Sequence, residues 1–379
     1  MRIAFLNWRD STHPEGGGAE LYAQTVCSGL AGRGHQVTLY CADHGGAPRN
    51  EHLDGYLIRR RGQRLSVYAA TLQQVRADAR RDGPFDAIVD TQNGIPFFTP
   101  LQTRTPSVIL VHHVHREQWP VVFGPATARA GWFVESQIAP RVNRRRRYVA
   151  VSEMTRNELV DLGVDRDRIR VIHNGTLPAR FSGAARALDP TLLVLGRLVP
   201  HKRVEHAVDV VAALRHKHPS LRLRILGEGW WHAEIEAHAR RAGVADRVDL
   251  LGFVDENTKA LELDRAWLAL APSIKEGWGL SVVEAASHGV PTVAYHGAGG
   301  LSESIIDGVS GVLVPDKNEL VAAVDALLTD SHRRGALATQ ARAHSLRYTW
   351  DTCVQDWEET LSEISESSGR SGRVRIRRS

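Results

Sequence analysis

Short apolar runs rich in β-branched residues alternate with helical patterns along almost the whole chain, and this alternation narrows the fold more than any other feature. Candidate strands fall at 3–7, 37–41, 87–90, 108–111, 148–151 and 169–172. Apolar positions at helical spacing predict helices over 19–33, 66–81, 132–144 and 153–162. The strand candidates read as nearly continuous apolar runs, not as an alternation at every second residue. Strands buried on both faces of a helix-covered parallel sheet read this way.

The rhythm breaks at 173–190, HNGTLPARFSGAARALDP, whose Gly, Pro and small residues read as a linker. A second series then begins, with strands at 191–195, 222–226, 248–251, 268–271, 292–295 and 312–314. Helices are expected at 203–216, 231–242, 256–264, 281–288 and 318–329. A chain of 379 residues is too long for one ordinary core. The fold class is therefore α/β, with two tandem Rossmann-like, doubly wound domains over 1–178 and 179–349. A final helix is expected over 350–366, followed by a disordered basic tail at 367–379. Ligands of such domains gather beyond the carboxyl ends of the strands, and two domains facing across a cleft can hold a donor and an acceptor together.

Composition fits a globular chain, with 42% hydrophobic and 24% charged residues. Cys27, Cys41 and Cys353 have no metal-ligand spacing and are too sparse for a disulfide framework, which favours a reducing, cytoplasmic compartment. The first apolar run ends at Arg9 and Asp10, too early for a signal peptide. The net charge of +5 is uneven. Residues 1–178 carry 23 Arg and no Lys against 17 acids, residues 179–366 carry 20 basic against 26 acidic residues, and the tail adds five Arg. A basic first half and tail can meet an anionic membrane surface from the cytoplasmic side, or a phosphorylated acceptor. The plainer alternative is an ordinary solvated surface. A nucleic-acid partner is not expected, because the run Arg144–Arg147 lacks interleaved aromatics and no nucleic-acid module pattern is present.

Four stretches carry candidate chemistry. Glu15-Gly16-Gly17-Gly18-Ala19-Glu20 follows the first strand and opens the first helix, where glycines bring backbone amides close to a diphosphate. A flexible turn explains it equally well. Gly196-Arg197-Leu198-Val199-Pro200-His201-Lys202-Arg203 follows the first strand of the second domain, so Arg197 and Lys202 can neutralise a leaving diphosphate without a metal.

The third stretch, Pro272 to Ala285, is the most specific. It sets Glu276 in a glycine-rich loop and Glu284 in a helix beginning near Ser281, with the amides of Gly279, Leu280 and Ser281 aimed at a phosphate. Glu276 can bind sugar hydroxyls and Glu284 ribose hydroxyls. The alternative is one exposed and one core-edge acid. In the fourth stretch, His112, His113 and His115 follow a strand of the first domain. A zinc site would need more ligands, so a cleft-lining histidine fits better, with Trp119 offering an apolar face to an acceptor. A structural role for any one histidine is equally compatible. Asp165-Arg166-Asp167 has the form of a metal-binding pair but reads as a surface turn.

In order and spacing, these stretches resemble glycosyltransferase family 4, whose members have the GT-B fold. The Glu276-to-Glu284 block, with Gly289-Val290-Pro291 and Gly299-Gly300-Leu301 behind it, is the most specific part, and the resemblance runs over nearly the whole chain. It implies a retaining hexosyltransferase with no metal and no cofactor, using a nucleotide-diphosphate sugar as donor. Arg197 and Lys202 would hold the diphosphate, Glu276 the sugar and Glu284 the ribose. Gly17 and Gly18 would approach the phosphates, His112 would sit near the reacting sugar, and Gly227, Phe253 and Val254 would lie around the base. The first domain would serve the acceptor, through His113, His115 and Trp119, and the last helix would cross back onto it. Trp278 stands where the pattern commonly has Phe. The acceptor is read as a lipid-linked or cell-surface glycan precursor. A small-molecule acceptor, a non-catalytic nucleotide-sugar-binding subunit and an epimerase on a similar fold remain as alternatives.

Overall fold

The computed structural model describes residues 1–14, 16–63 and 65–376, with side chains to residue 367. The chain divides into two compact units, Met1–Gly175 with Trp350–Ser379, and Thr176–Thr349.

The first unit contains β1 (Arg2–Leu6), α1 (Gly18–Gly32), β2 (Gln36–Cys41), β3 (Asn50–Leu53), β4 (Tyr56–Arg60), α2 (Ser66–Asp82), β5 (Ala87–Gln92) and β6 (Ser107–Val111). It continues with α3 (Trp119–Val122), α4 (Pro125–Phe133), α5 (Ala139–Val142), β7 (Arg147–Ala150), α6 (Glu153–Asp161) and β8 (Ile169–Val171). Its sheet runs β3-β4-β2-β1-β5-β6-β7-β8. Only β3 against β4 is antiparallel among these pairings. The sequence reading lacked that hairpin because its edge strand, Asn-Glu-His-Leu, is polar. The available signal was Asp54-Gly55, which forms the two-residue turn with φ of 46° and 85°.

The helix expected over 132–144 is a broken rod. α4 ends at Phe133, a π-helical turn spans Val134–Ile138, and α5 resumes with Pro140 in its first turn. Pro140 has no N–H for the α-helical ladder, which accounts for the wider turn before it.

The second unit contains β9 (Thr191–Leu195), α7 (Val204–Leu214), β10 (Arg222–Leu226), α8 (His232–Arg241), β11 (Val248–Gly252), α9 (Glu256–Arg265), β12 (Leu268–Ala271) and α10 (Leu280–Ser287). It closes with β13 (Thr292–Tyr295), α11 (Leu301–Ser304), β14 (Gly311–Val314), α12 (Lys317–Thr329) and α13 (Ser331–Ser345). The sheet is parallel, in the order β11-β10-β9-β12-β13-β14. The chain winds outward to one side of β9 and then restarts on the other at β12. The carboxyl ends of β9 and β12 therefore flank a topological switch point, where doubly wound sheets bind ligands. The buried face of α7 (Val204, Val208, Val211) joins Leu192, Leu223 and Ile225 in the core beneath it.

The last helix, α14 (Trp350–Ile376), belongs to the first unit and packs on α1, β5 and β6. Trp357 is fully buried beside Phe5 and donates its indole N–H to the Tyr22 hydroxyl. A side chain at Gly29 would lie 2.4 Å from Val354 Cγ2, so glycine there lets the two helices close. The segment expected to be disordered from 367 is helical to Ile376, and 377–379 lie outside the described residues. Among the described residues no helix is long and apolar enough to cross a membrane. Cys27, Cys41 and Cys353 are buried free thiols.

Candidate functional site

In the second unit, the loops after β9 and β12 line one pocket, which includes Gly196, Arg197, Lys202, Ser273, Glu276 and Ser281. Two cations and one carboxylate predicted from separate stretches thus meet at the switch point. Lys202 Nζ lies 2.5 Å from Glu276 Oε1, and the Ser273 hydroxyl donates to the same oxygen at 2.7 Å. Burial raises the Glu276 pKa, but the Lys202 charge and the two hydrogen bonds outweigh it and hold the carboxyl below its ordinary range. Ser273 was missed in the sequence, although it stands three residues before Glu276 in the same loop.

Backbone contact sets the Glu276 position. Its amide donates to Ala298 O at 3.0 Å, and its carbonyl accepts from Gly300 N at 2.9 Å. A side chain at Gly299 would come within 2.2 Å of the Glu276 carbonyl oxygen, and Gly299 has φ of 67°. The Ile274 amide donates to His201 O at 2.8 Å, which ties the glutamate loop to the lysine turn. Gly196 is locked in the same way, because a side chain at Gly227 would lie 2.0 Å from its carbonyl oxygen. Gly227 therefore supports the Arg197 loop from below.

Gly279, with φ of 93°, caps α10, so the amides of Leu280 and Ser281 head that helix at its positive end. One turn on, Glu284 Oε1 lies 2.5 Å from Lys259 Nζ on α9. Burial lowers the Lys259 pKa and Glu284 more than restores it, so the ammonium stays firmly charged. Lys259 was also missed, since its pairing spans the fold and leaves no local pattern. Phe253 is 81% exposed after β11, while Val254 packs on the core. Trp278 is buried with its ring 4.7 Å from that of Tyr348.

In the first unit, Gly17 caps α1, and its amide is taken by the Glu20 carboxylate at 2.8 Å. Gly18 opens the helix, and Glu15 lies outside the described residues. His112, at the carboxyl end of β6, is 7% exposed and stands edge-on to Tyr22 at 5.1 Å. Its Nε2 is buried with no hydrogen-bond partner among the described residues. Burial, with the His115 charge adding to it, pushes its pKa down to about 4, so the ring is neutral at ordinary pH.

His113, His115 and Trp119 sit in one polar network. His113 Nε2 meets Gln118 Oε1 at 2.6 Å, and His115 is held between Asn93 Oδ1 at 3.0 Å and Glu135 Oε1 at 3.2 Å. Trp119 donates its indole N–H to Glu135 Oε2 at 2.6 Å, and its ring fills the space left by Gly131. Glu135 is fully buried on the π turn and was not foreseen. This network fixes the loop after β6 and leaves His112 as the histidine with an open nitrogen. Asp165 is a helix cap that accepts from Asp167 N at 3.3 Å.

Two tandem doubly wound α/β units, the second with cations gathered at its switch point, define a protein of the GT-B class. The family described as Glycosyltransferase Family 4 matches residues 16–180, and that described as Glycosyl transferases group 1 matches residues 178–344. The chain belongs to glycosyltransferase family 4. It is 34% identical over 224 residues to a glycogen synthase of Mycobacterium tuberculosis, covering 58% of this chain and 52% of that protein. The chain spans about half or less of the length of the curated relatives it matches. The fold is similar to that of sucrose-phosphate synthase from Thermosynechococcus elongatus, with a TM-score of 0.81, 19% identity and coverage of 97% and 99% of the two chains. It is also similar to that of HepE from Anabaena, solved with UDP-glucose, with a TM-score of 0.73, 22% identity and coverage of 96% and 100%.

Proposed function

We propose that this chain transfers a hexose-type sugar from a nucleotide-diphosphate sugar to an acceptor hydroxyl, with retention of anomeric configuration and without a divalent ion. The observation that carries this reading is the Lys202–Glu276 pair beside Arg197 in the switch-point pocket. Arg197 and Lys202 neutralise the departing diphosphate, a role that elsewhere needs a metal. Glu276, kept ionised by Lys202, accepts from sugar hydroxyls. Glu284, oriented by Lys259, accepts from the ribose. His112 supplies a neutral imidazole with an open nitrogen for a sugar hydroxyl. The bond from the anomeric carbon to the phosphate oxygen breaks, the acceptor oxygen bonds on the same face, and the leaving phosphate takes the acceptor proton. No protein nucleophile is required, and rate comes from positioning and charge.

A lipid-linked or cell-surface glycan precursor is the acceptor this reading favours, ahead of a small metabolite. The test is incubation with UDP-, GDP-, ADP- and dTDP-sugars, candidate acceptors and EDTA, followed by assay of nucleotide release and NMR of the new linkage. Retention with EDTA present supports the proposal, and inversion contradicts it. Donor binding without transfer to any acceptor favours a non-catalytic subunit. An epimerised donor with no acceptor present favours an epimerase.

A further inference from the structure

The rod made of α4, the π turn and α5 has two unlike faces. Its inner face, Ala128, Gly131, Glu135, Ala139 and Asn143, is buried at helical spacing. Its outer face carries Arg129, Phe133, Ile138 and Arg141, and the turn that follows α5 adds Arg144 and Arg145, all exposed. Phe133 is 57% exposed, and the neighbouring tip at the end of α3 adds Val122 at 55% and Phe123 at 43%. Apolar side chains this open, on a segment packed firmly from behind, are not a fraying of the core.

The charge on this segment has one sign. Residues 119–147 contain six arginines and a single acid, Glu135. That acid is fully buried and engaged with His115 and Trp119, so it does not offset the arginines outside. A helical face with aromatic and aliphatic side chains flanked by arginine is the pattern of a helix lying in a membrane interface. A polyanion without an apolar phase would leave Val122, Phe123 and Phe133 in water. An acidic lipid surface takes up both components.

We infer that the outer face of α4–α5, with the Val121–Phe123 tip, is a docking surface for an anionic lipid bilayer. The proposal does not depend on the donor chemistry, but it would bring the first unit to a lipid-linked acceptor. The apolar tip enters the headgroup boundary, and the arginines meet lipid phosphates. Attachment is peripheral and salt-sensitive, since each arginine acts through a screened charge.

The test is sedimentation of the full chain with vesicles of phosphatidylglycerol and phosphatidylcholine, and with phosphatidylcholine alone, at low and high salt. Binding is expected to the acidic vesicles only, and to fall at high salt. The variants Val122→Asp/Phe123→Asp and Arg144→Ser/Arg145→Ser should each bind at least about tenfold more weakly. Their nucleotide-induced thermal shifts should stay unchanged, which separates a failed surface from a failed fold or donor site. No binding of the wild-type chain to acidic vesicles, undiminished binding by both variants, or capture of inorganic polyphosphate in place of vesicles would overturn the inference.

Discussion

At the residue scale, the site is a set of charges whose states are fixed by neighbours far away in sequence. His112 is the clearest case. Its ordinary value of 6.5 is pushed to about 4, first by burial and then by the nearby His115 charge. The unfolded chain therefore takes up the proton first as pH falls. His112 costs no stability above about 6.5, and stability is lost progressively from there to about 4. The full loss is up to about 3 kcal/mol. His112→Asn cannot charge, so urea titrations through that window should show a flatter decline than wild type. An identical decline would mean that the ring is not desolvated. Glu276→Gln should keep the loop geometry but remove the charge facing Lys202. Sugar transfer should then fall by about 10²-fold or more, while affinity for the bare nucleotide changes little in direct titration. Equal losses in both would remove Glu276 from the sugar.

At the element scale, glycines let one loop rest directly on another. Gly299 bears directly on the site, since any side chain would press within 2.2 Å of the Glu276 carbonyl at a φ of 67°. Gly299→Ala should cost about 2–4 kcal/mol and weaken donor binding together with stability. Denaturation and donor titration of one preparation will check this. The second unit was largely legible in the sequence at this scale. β9, β12 and β13 lie at the predicted residues, because strands buried on both faces are nearly unbroken apolar runs, and β10 does so although Arg222 and Arg224 alternate with its apolar residues. Elements that depend on weaker patterns were not legible. α13, whose only large apolar residue is Leu337 among alanines, arginines and small polar residues, lacked an apolar stripe, and β3 is a polar edge. The break in the 125–142 rod follows from Pro140, which apolar periodicity alone does not register. Arg197, Lys202 and Glu276 could be named because each follows a strand, where doubly wound folds put ligands. Lys259 and Glu135 act through partners that only the folded chain brings near.

At the scale of the whole molecule, each unit carries its own part of the chemistry. The first, closed by α14, holds the open nitrogen of His112 and the basic, apolar-tipped rod. The second holds the complete cationic pocket within Thr176–Thr349. The central claim, a metal-independent site for a nucleotide diphosphate in that pocket, can therefore be tested by binding alone. The direct measurement is thermal unfolding of wild type and Lys202→Ala with UDP, GDP, ADP and dTDP, each with and without EDTA. A ligand that binds the folded state raises its transition by mass action. The account predicts that one nucleotide raises the wild-type transition equally with and without EDTA, and that Lys202→Ala loses most of the shift. A shift abolished by EDTA, or retained in full by Lys202→Ala, would contradict it.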